Sequence, residues 1–367
     1  MRIGFDAFPI QIKPSGIGKY VLNVIDEIVK EVPATYFAYS NNKIGLPESL
    51  KHKVQKREYS TGFNGRLPGK VWLKLFAGAY IKKDNLDYYI STTGFFPKLP
   101  RTVKKIAIVH DLNAKLVPET MGKMHYLTHL LFFKRDIKSA DFIITNSDGT
   151  AEKLFFYYKK ETDEVINPPV SLDYCVKTDE SILQVREKYN IQCDYILFVG
   201  NLEPRKNLVF VLKNFTELLE QKKISNVKLL IVGLKGWNDV EIQTLIEKCS
   251  DSVKTLGYVD ELDLPSIYAG AKLFVFPSLY EGFGIPVREA LLCGTPVITT
   301  DITELREAGR IAANAEMITY ISANDAESFR KNILRYLNNQ VFTEASKNPE
   351  ISMPKLIGFI KRNIIKN

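Results

Sequence analysis

The chain has few cysteines and no long apolar segment. Its 367 residues include only four cysteines, all far apart and none in a Cys-x-x-Cys pair: Cys175, Cys193, Cys249 and Cys293. A chain of this length needs no disulfides, so this usage predicts a reducing, cytosolic setting and argues against structural zinc. No apolar run approaches the roughly 18 residues that span a bilayer. These absences exclude a disulfide scaffold and a membrane-spanning helical protein.

Acidic residues are scarce in the first half of the chain. Residues 1–170 hold 26 Lys and Arg against 17 Asp and Glu, whereas the remainder holds 24 against 25. The whole excess of positive charge therefore lies in the first half. A basic half is typical of proteins that bind nucleic acid, an anionic membrane or an acidic ligand, and it also occurs as a merely solvated surface.

Short β-branched and aromatic runs alternate with helical stretches along the chain. Strands are predicted at 2–6, 86–92, 104–110 and 141–146, and again at 195–200, 228–233, 254–259, 273–277 and 296–300. The turn Asn167-Pro168-Pro169 separates the two series. The pattern predicts an α/β protein with two Rossmann-like, doubly wound parallel-sheet domains, residues 1–170 and 171–352. Ligands of such sheets bind at the carboxyl ends of the strands.

The most informative segment follows the predicted strand 273–277. It reads Glu-Gly-Phe-Gly-Ile-Pro-Val-Arg-Glu-Ala over residues 281–290, followed by Cys-Gly-Thr-Pro over 293–296. Gly282 and Gly284 permit close backbone approach, and Pro286 suits a first helical position. Free amides at this helix start predict an anion site, with Glu281 on the loop and Glu289 a turn inside the helix.

A second strand-turn-helix segment reads Gly-Asn-Leu-Glu-Pro-Arg-Lys-Asn over residues 200–207. Arg205 and Lys206 stand where the next helix is expected to begin. Two cations beside a helix start form a diphosphate clamp, although an exposed Arg-Lys pair is also a common surface feature.

Two weaker signals lie near the N-terminus. Gly16 and Gly18 follow the first strand, but Val21 occupies the position of the third glycine of a dinucleotide-binding pattern. His110 stands at the tip of the predicted strand 104–110, whereas most isolated histidines are structural.

Together these segments resemble the retaining family 4 glycosyltransferases of the GT-B fold, with their E-x7-E motif. The likeness spans residues 2–310. The chain is similar to bacterial polysaccharide mannosyl- and rhamnosyltransferases. It implies that Glu281 holds donor-sugar hydroxyls, that Glu289 holds the nucleotide ribose, and that His110 reaches the donor sugar. It further implies that the remaining positions bind the diphosphate or form the loops around it. These positions are Gly16, Gly18, Arg205, Lys206, Gly282, Phe283, Gly284 and Ile285. A helix at 353–367 is expected to return to the first domain.

The resemblance implies a cytoplasmic enzyme that transfers a hexose or deoxyhexose, with GDP-mannose preferred, from a nucleotide sugar. The acceptor is expected to be a glycan or lipid-linked glycan of surface polysaccharide, including lipopolysaccharide. No Asp-x-Asp triplet occurs, so no metal and no cofactor are expected. Asn201 stands where many members carry Arg, which leaves the division of labour between Arg205 and Lys206 open.

Two other functions remain alternatives at this point. A nucleotide-sugar epimerase of the same fold would bind the same donor, and a non-catalytic polyanion binder would use the basic half. No nucleic-acid-binding module is visible, so no nucleic-acid partner is expected. Residues 70–83 mix lysines with Trp72, Leu75 and Phe76. This segment predicts either a core helix with solvated lysines or peripheral contact with an anionic membrane on its inner face.

Overall fold

The computed structural model describes residues 1–11, 16–234, 240–310, 315–338 and 353–365. These residues form two compact units. The N-terminal unit comprises the described parts of 1–115, 123–169 and 353–365. The C-terminal unit comprises 116–122 and the described residues between 170 and 338.

The N-terminal unit is built on a seven-stranded parallel sheet of order β3-β2-β1-β4-β5-β6-β7. The strands are β1 Arg2–Asp6, β2 Thr35–Ser40, β3 Val54–Glu58, β4 Tyr88–Ser91, β5 Lys104–Val109, β6 Phe142–Thr145 and β7 Glu164–Val165. The chain winds outward from β1 to β3 and then returns beside β1 with β4, which is the doubly wound pattern.

The helices of this unit flank the sheet. They are α1 Gly16–Glu31, α2 Glu48–Lys51, α3 Gly62–Gly65, α4 Gly69–Trp72, α5 Gly78–Ile81, α6 Asn113–Leu116, α7 Lys123–Thr128, α8 Lys134–Lys138 and α9 Asp148–Tyr158. One π-helical turn, Leu73–Ala77, joins α4 to α5, and another, His129–Phe133, joins α7 to α8. Helix α1 buries Val21, Val24 and Ile28 against the sheet because their three- and four-residue spacing places them on one face.

The C-terminal unit contains a six-stranded parallel sheet of order β10-β9-β8-β11-β12-β13. The strands are β8 Asp194–Val199, β9 Val227–Val232, β10 Val253–Gly257, β11 Leu273–Phe276, β12 Val297–Thr300 and β13 Ile318–Ile321. The helices are α10 Asp179–Lys188, α11 Leu208–Glu220, α12 Val240–Lys248, α13 Leu264–Ala269, α14 Ile285–Leu292, α15 Thr303–Gly309 and α16 Ala326–Asn338.

A last helix, α17 Met353–Ile360, continues as a π-helical turn Lys361–Ile365. Its residues Leu356, Phe359 and Ile360 are buried in the same hydrophobic core as α1 and β1. The ring of Phe359 meets that of Phe142 on β6 at 5.8 Å between centroids. The apolar face of this helix therefore holds the end of the chain on the N-terminal unit; of the expected 353–367, residues 366–367 lie outside the described part.

The predicted fold class is confirmed, with local differences. The sequence analysis missed four strands, β2, β3, β7 and β13. Strand β3 is largely exposed and polar, and β7 has only two residues, so neither produces a hydrophobic pattern. Residues 123–138 form one continuous helical run of α7, a π turn and α8, and Pro118–Thr120 form a separate 3-10 turn before it.

Residues 70–83 differ in part from the expected core helix with solvated lysines. Trp72 is fully buried, but Leu75 is 65% exposed. The ammonium group of Lys74 is buried and lies 2.6 Å from Oδ2 of Asp136, and Lys70 stands 4.7 Å from the centroid of the Phe95 ring. These two lysines face the protein interior rather than solvent or lipid. In the part of the chain that the structure describes, no helix is long and apolar enough to cross a membrane.

Candidate functional site

The strand order of the C-terminal unit brings two distant loops together. Strands β8 and β11 are hydrogen-bonded neighbours, with Leu197 opposite Phe274. The winding direction of the sheet reverses between them, so the loops that leave their carboxyl ends border the switch-point crevice. The amide of Leu279 donates to the carbonyl oxygen of Arg205 at 2.8 Å and ties the loops to each other.

Glu281 lies on the loop that follows β11 and is held by two cations. Its Oε1 accepts a 2.6 Å hydrogen bond from Nζ of Lys206 and lies 2.9 Å from Nη1 of Arg205. Arg205 in turn donates from Nε to Oε2 of Glu203 at 3.0 Å. The ammonium group of Lys206 also stands 4.5 Å from the centroid of the Phe276 ring on β11. The sheet register therefore assembles Glu281, Arg205 and Lys206, which the sequence analysis selected separately.

The electrostatics of this cluster keep Glu281 ionised. Burial alone raises the pKa of Glu281, but the positive charges of Arg205 and Lys206 outweigh burial and bring it from 4.5 to about 2. Burial lowers the pKa of Lys206, and the charge of Arg205 lowers it further, while Glu281 acts in the opposite direction. A carboxylate so engaged is a hydrogen-bond acceptor rather than a proton donor at neutral pH.

The loop after β11 turns into α14 at Gly284. This residue has φ of +102°, and an added Cβ would collide with the side chain of Leu305. Glycine is therefore required both by the left-handed backbone and by the close helix. Helix α14 begins at Ile285, one residue earlier than expected, so Pro286 lies within its first turn.

Two of the loop positions predicted to bind substrate have side chains elsewhere. The ring of Phe283 is buried in the hydrophobic core of the unit, and Ile285 packs against that core. Their side chains fix the loop on the sheet, so their ligand contacts would come from the backbone. Gly282 is partly exposed on the same loop.

Glu289 lies one turn further along α14 and has a partner that the sequence did not reveal. The fully buried Tyr268 on α13 donates its hydroxyl proton to Oε2 of Glu289 at 2.9 Å. Burial raises the pKa of Tyr268, and the negative charge of Glu289 raises it further, so the hydroxyl remains a donor. Oε2 is thereby held while Glu289 stays partly accessible to a ligand.

The N-terminal unit has a polar cluster at its own switch point, between β1 and β4. Asp6 at the end of β1 accepts from the amide of Thr92 at 2.8 Å and from its hydroxyl at 2.7 Å. His110, just after β5, places Nε2 2.6 Å from the carbonyl oxygen of Thr92. A carbonyl oxygen only accepts, so Nε2 carries the proton and Nδ1 is the acceptor nitrogen. Burial lowers the pKa of His110, which favours this neutral form.

The remaining predicted residues lie in the first turn of α1. The helix begins at Gly16 and includes Gly18, which is buried, so both belong to the helix rather than to a preceding loop. The hydroxyl of Tyr20, in the same turn, donates to the carbonyl oxygen of Ile166 at 2.8 Å, and its ring contacts His110 edge-on at 5.4 Å. Helix α1 is thus fixed beside His110.

Sequence reasoning missed four residues of these two sites: Asp6, Thr92, Glu203 and Tyr268. Asp6 and Thr92 stand at or just beyond strand ends, and that position was the available signal. Glu203 stands two residues before Arg205. Tyr268 gave no signal, because it is one of many aromatic residues on helices. Among the described residues, no three His, Cys, Asp or Glu side chains are grouped as metal ligands.

Two doubly wound parallel sheets in one chain form the GT-B fold, and the second sheet carries a clamped carboxylate and two cations at its switch point. Solved structures confirm the predicted GT-B fold. The chain superposes on sucrose-phosphate synthase from Thermosynechococcus elongatus with a TM-score of 0.75 and 18% identity, over 100% of this chain and 99% of that one. Anabaena HepE in complex with UDP-glucose gives a TM-score of 0.66 and 16% identity, over 100% and 98%.

Residues 182–351 match the family model of glycosyl transferases group 1. The chain is also 28% identical over 362 residues to the O-antigen chain mannosyltransferase B of Escherichia coli. The aligned region covers 94% of this chain and 92% of the relative. The chain is therefore a glycosyltransferase.

Proposed function

We propose that this chain is a retaining, metal-independent hexosyltransferase of surface polysaccharide synthesis, lipopolysaccharide included. It transfers a hexose or deoxyhexose, with GDP-mannose as the preferred donor, to a glycan or lipid-linked glycan. Similarity to an O-antigen mannosyltransferase over nearly the whole chain supports the sugar and the pathway. The absence of a spanning helix from the described residues is compatible with action at the cytoplasmic side.

The clamped Glu281 is the observation that carries this proposal. Arg205 and Lys206 meet its carboxylate at the ends of two adjacent strands, 2.9 and 2.6 Å from one oxygen. A bound diphosphate would draw the same two cations, since both phosphate and carboxylate accept charge-assisted hydrogen bonds. The Glu281 carboxylate would then accept from hydroxyl groups of the donor sugar.

The remaining donor contacts follow from this placement. The Glu289 carboxylate, with Oε2 held by Tyr268, would accept from the two ribose hydroxyls. The backbone amides around Gly282 and Gly284 lie at the start of α14 and would donate to phosphate oxygens. As the nucleoside diphosphate departs, negative charge grows on its terminal phosphate. Arg205, Lys206 and these amides stabilise that charge most at the transition state.

We further propose that residues 1–170 form the acceptor side and residues 171–352 the donor side. In the N-terminal unit, Gly16 and Gly18 allow the start of α1 to approach a phosphate. His110, neutral and with Nδ1 as its acceptor nitrogen, would accept a hydrogen bond from a sugar hydroxyl. Its ring cannot rotate freely, because Thr92 holds Nε2.

Metal independence rests on the cationic clamp and on the missing Asp-x-Asp triplet. Two fixed positive charges supply the neutralisation that a divalent ion would otherwise provide at the leaving diphosphate. The role of the two cations is therefore to bind and to stabilise charge, without an added ion.

The test begins with the purified full chain and a panel of GDP-, UDP- and dTDP-sugars, each with and without a polysaccharide-derived acceptor. We expect transfer from GDP-mannose, unchanged by EDTA, with the anomeric configuration retained in the product by NMR. Inversion, or a strict need for manganese, contradicts the mechanism. Isomerised nucleotide sugar without any acceptor would identify an epimerase instead.

Site variants separate the clamp from general charge effects. Lys206→Ala should abolish transfer and weaken nucleoside diphosphate binding at least tenfold, since a charged hydrogen bond contributes about 1.5 to 3 kcal/mol. Lys213→Ala is the matched control, because Lys213 is an exposed cation of the same unit that pairs only with Glu241 in the described contacts. Equal effects of both variants would contradict the clamp.

A further inference from the structure

Two neighbouring stretches of the N-terminal unit expose large apolar side chains. One is the helical run from α7 through the π turn to α8, and the other is α9. Their exposed fractions range from 48% for Leu127 to 66% for Phe156, and the set is Met124, Leu127, Leu130, Leu131, Phe155 and Phe156. We call these six side chains the outer apolar face.

The helical run that starts at α7 is apolar on both sides. Its inner side already buries Phe133 and Ile137 in the unit. Leu127, Leu130 and Leu131 lie on the outer side, where the three- and four-residue spacing aligns them along the helix. A surface helix of a soluble protein normally presents polar residues there. The outer leucines are therefore not explained by packing of this unit.

Helix α9 extends the same surface. It buries Leu154 and exposes Phe155 and Phe156. The ring of Tyr158, at the end of α9, packs against Phe133 of the first stretch at 5.3 Å between centroids. The two stretches are thus joined at this contact, which places both sets of exposed side chains in one region of the unit.

The segment that carries the outer apolar face has an excess of positive charge. Residues 123–160 contain seven Lys and Arg against four Asp and Glu. One of those acids, Asp136, is already neutralised by the buried Lys74. Lys159 holds its ammonium group 5.6 Å from the ring centroids of both Phe155 and Phe156. Lys134 and Arg135 are exposed just beyond the leucines.

We propose that the outer apolar face lies on an anionic phospholipid bilayer. Apolar and aromatic side chains rimmed by lysines match a headgroup boundary, where the chains enter the acyl region and the cations meet lipid phosphate. An apolar protein surface or a second copy of this chain would explain the leucines but not the excess of positive charge around them. We propose this surface, rather than residues 70–83, as the membrane contact, because Lys70 and Lys74 of that segment face inward. It is independent of the proposed transfer reaction.

Co-sedimentation of the full chain with vesicles tests this surface. The vesicles are phosphatidylcholine alone and phosphatidylcholine with one third phosphatidylglycerol, at low salt, with a vesicle-free spin to remove aggregates. We expect binding to the anionic vesicles only. The variant Leu130→Gln with Leu131→Gln should lower binding roughly tenfold or more, since it removes apolar area from the interface. Lys134→Gln with Arg135→Gln should lower it about fivefold per charge.

Matched controls use exposed residues away from this face. Leu172→Gln with Leu262→Gln changes two exposed leucines of the C-terminal unit, and Lys43→Gln with Lys53→Gln changes two exposed lysines near the β3 edge. Both should bind vesicles like the wild type. All variants should keep nucleoside diphosphate affinity, which reports the fold and the donor site separately. Equal binding of the Leu130/Leu131 variant and the wild type overturns the proposal. A dimer that only this variant dissociates, with no vesicle binding by the wild type, also overturns it.

Discussion

The hydroxyl of Tyr268 holds one carboxylate oxygen of Glu289 at 2.9 Å, from a helix that contributes no other predicted site residue. The contact fixes the Glu289 side chain before a ligand arrives. The backbone carbonyl of Tyr268 accepts a 2.6 Å hydrogen bond from Thr295, so the donor is itself held in place. Tyr268 is therefore a positioning residue for the proposed ribose contact.

Tyr268→Phe should weaken nucleoside diphosphate binding about fivefold, because a neutral hydrogen bond contributes about 1 kcal/mol. Isothermal titration with GDP measures the change. Tyr336→Phe is the control, since the Tyr336 hydroxyl bonds Thr319 and the carbonyl oxygen of Glu316, away from Glu289. An equal loss of affinity in both variants would mean that Tyr268 acts only through the fold.

Glu281→Gln should abolish transfer and also lower stability, because it leaves two largely buried cations without their shared carboxylate. Added GDP should raise the melting temperature of this variant more than that of the wild type, since the diphosphate replaces the missing negative charge. Differential scanning fluorimetry with and without GDP gives both numbers. A variant as stable as the wild type without ligand would argue against the clamp.

The depressed pKa of Glu281 predicts an acid-sensitive stability. Its folded-state value of about 2 lies below the ordinary 4.5, so the ionised form stabilises the fold above pH 4.5. That contribution, about 3 kcal/mol, should disappear as the pH falls from 4.5 towards 2. Urea unfolding at several pH values should therefore show wild type and Glu281→Gln converging over this range.

The pKa of Asp6 predicts a pH dependence of stability with the opposite sign. Burial raises its pKa from 3.8 to about 6, despite the hydrogen bonds from Thr92 and Thr93 that oppose the rise. The protonated form therefore stabilises the fold below pH 3.8, and about 3 kcal/mol should be lost as the pH rises through 6. Asp6→Asn should remove this dependence, because the amide stays neutral. Unfolding free energies between pH 4 and 7 check it, and an unchanged slope in the variant would contradict it.

Lys74→Ala should destabilise the N-terminal unit by about 3 to 5 kcal/mol, because the buried Asp136 loses the ammonium group 2.6 Å away and keeps only Arg135, at 4.0 Å, among its described ion pairs. Asp136 also accepts from the amide of Phe96 at 3.0 Å, so the loss extends to the loop after β4. Lys74→Met with Asp136→Leu should lose less, since no charge then stays buried. Thermal unfolding compares the two variants. A Lys74→Ala variant as stable as the wild type would show that Lys74 is not buried against Asp136.

Local chemistry allowed the sequence to predict the alternation of strands and helices and the residues worth testing. Apolar runs such as Phe274 to Phe276 predict buried strands because every side chain there must leave water. Glu281, Arg205 and Lys206 were identifiable because they follow such strands beside glycines. Strand β3, mostly polar and at a sheet edge, lacks that pattern, and its pairing partner alone makes it a strand.

Only the tertiary structure decided which side chains meet. Strand order is a property of the whole sheet, and it alone places Lys206 against Glu281 across 75 residues. The same holds for Tyr268 with Glu289. Residues 70–83 show most clearly what the sequence alone does not predict. The composition of this segment suggests that Lys74 is solvated, but in the folded chain its ammonium group is buried against Asp136, 62 residues away. A charged residue in a sequence predicts a surface position. Whether that residue is exposed or buried depends on the partner that compensates its charge in the folded chain.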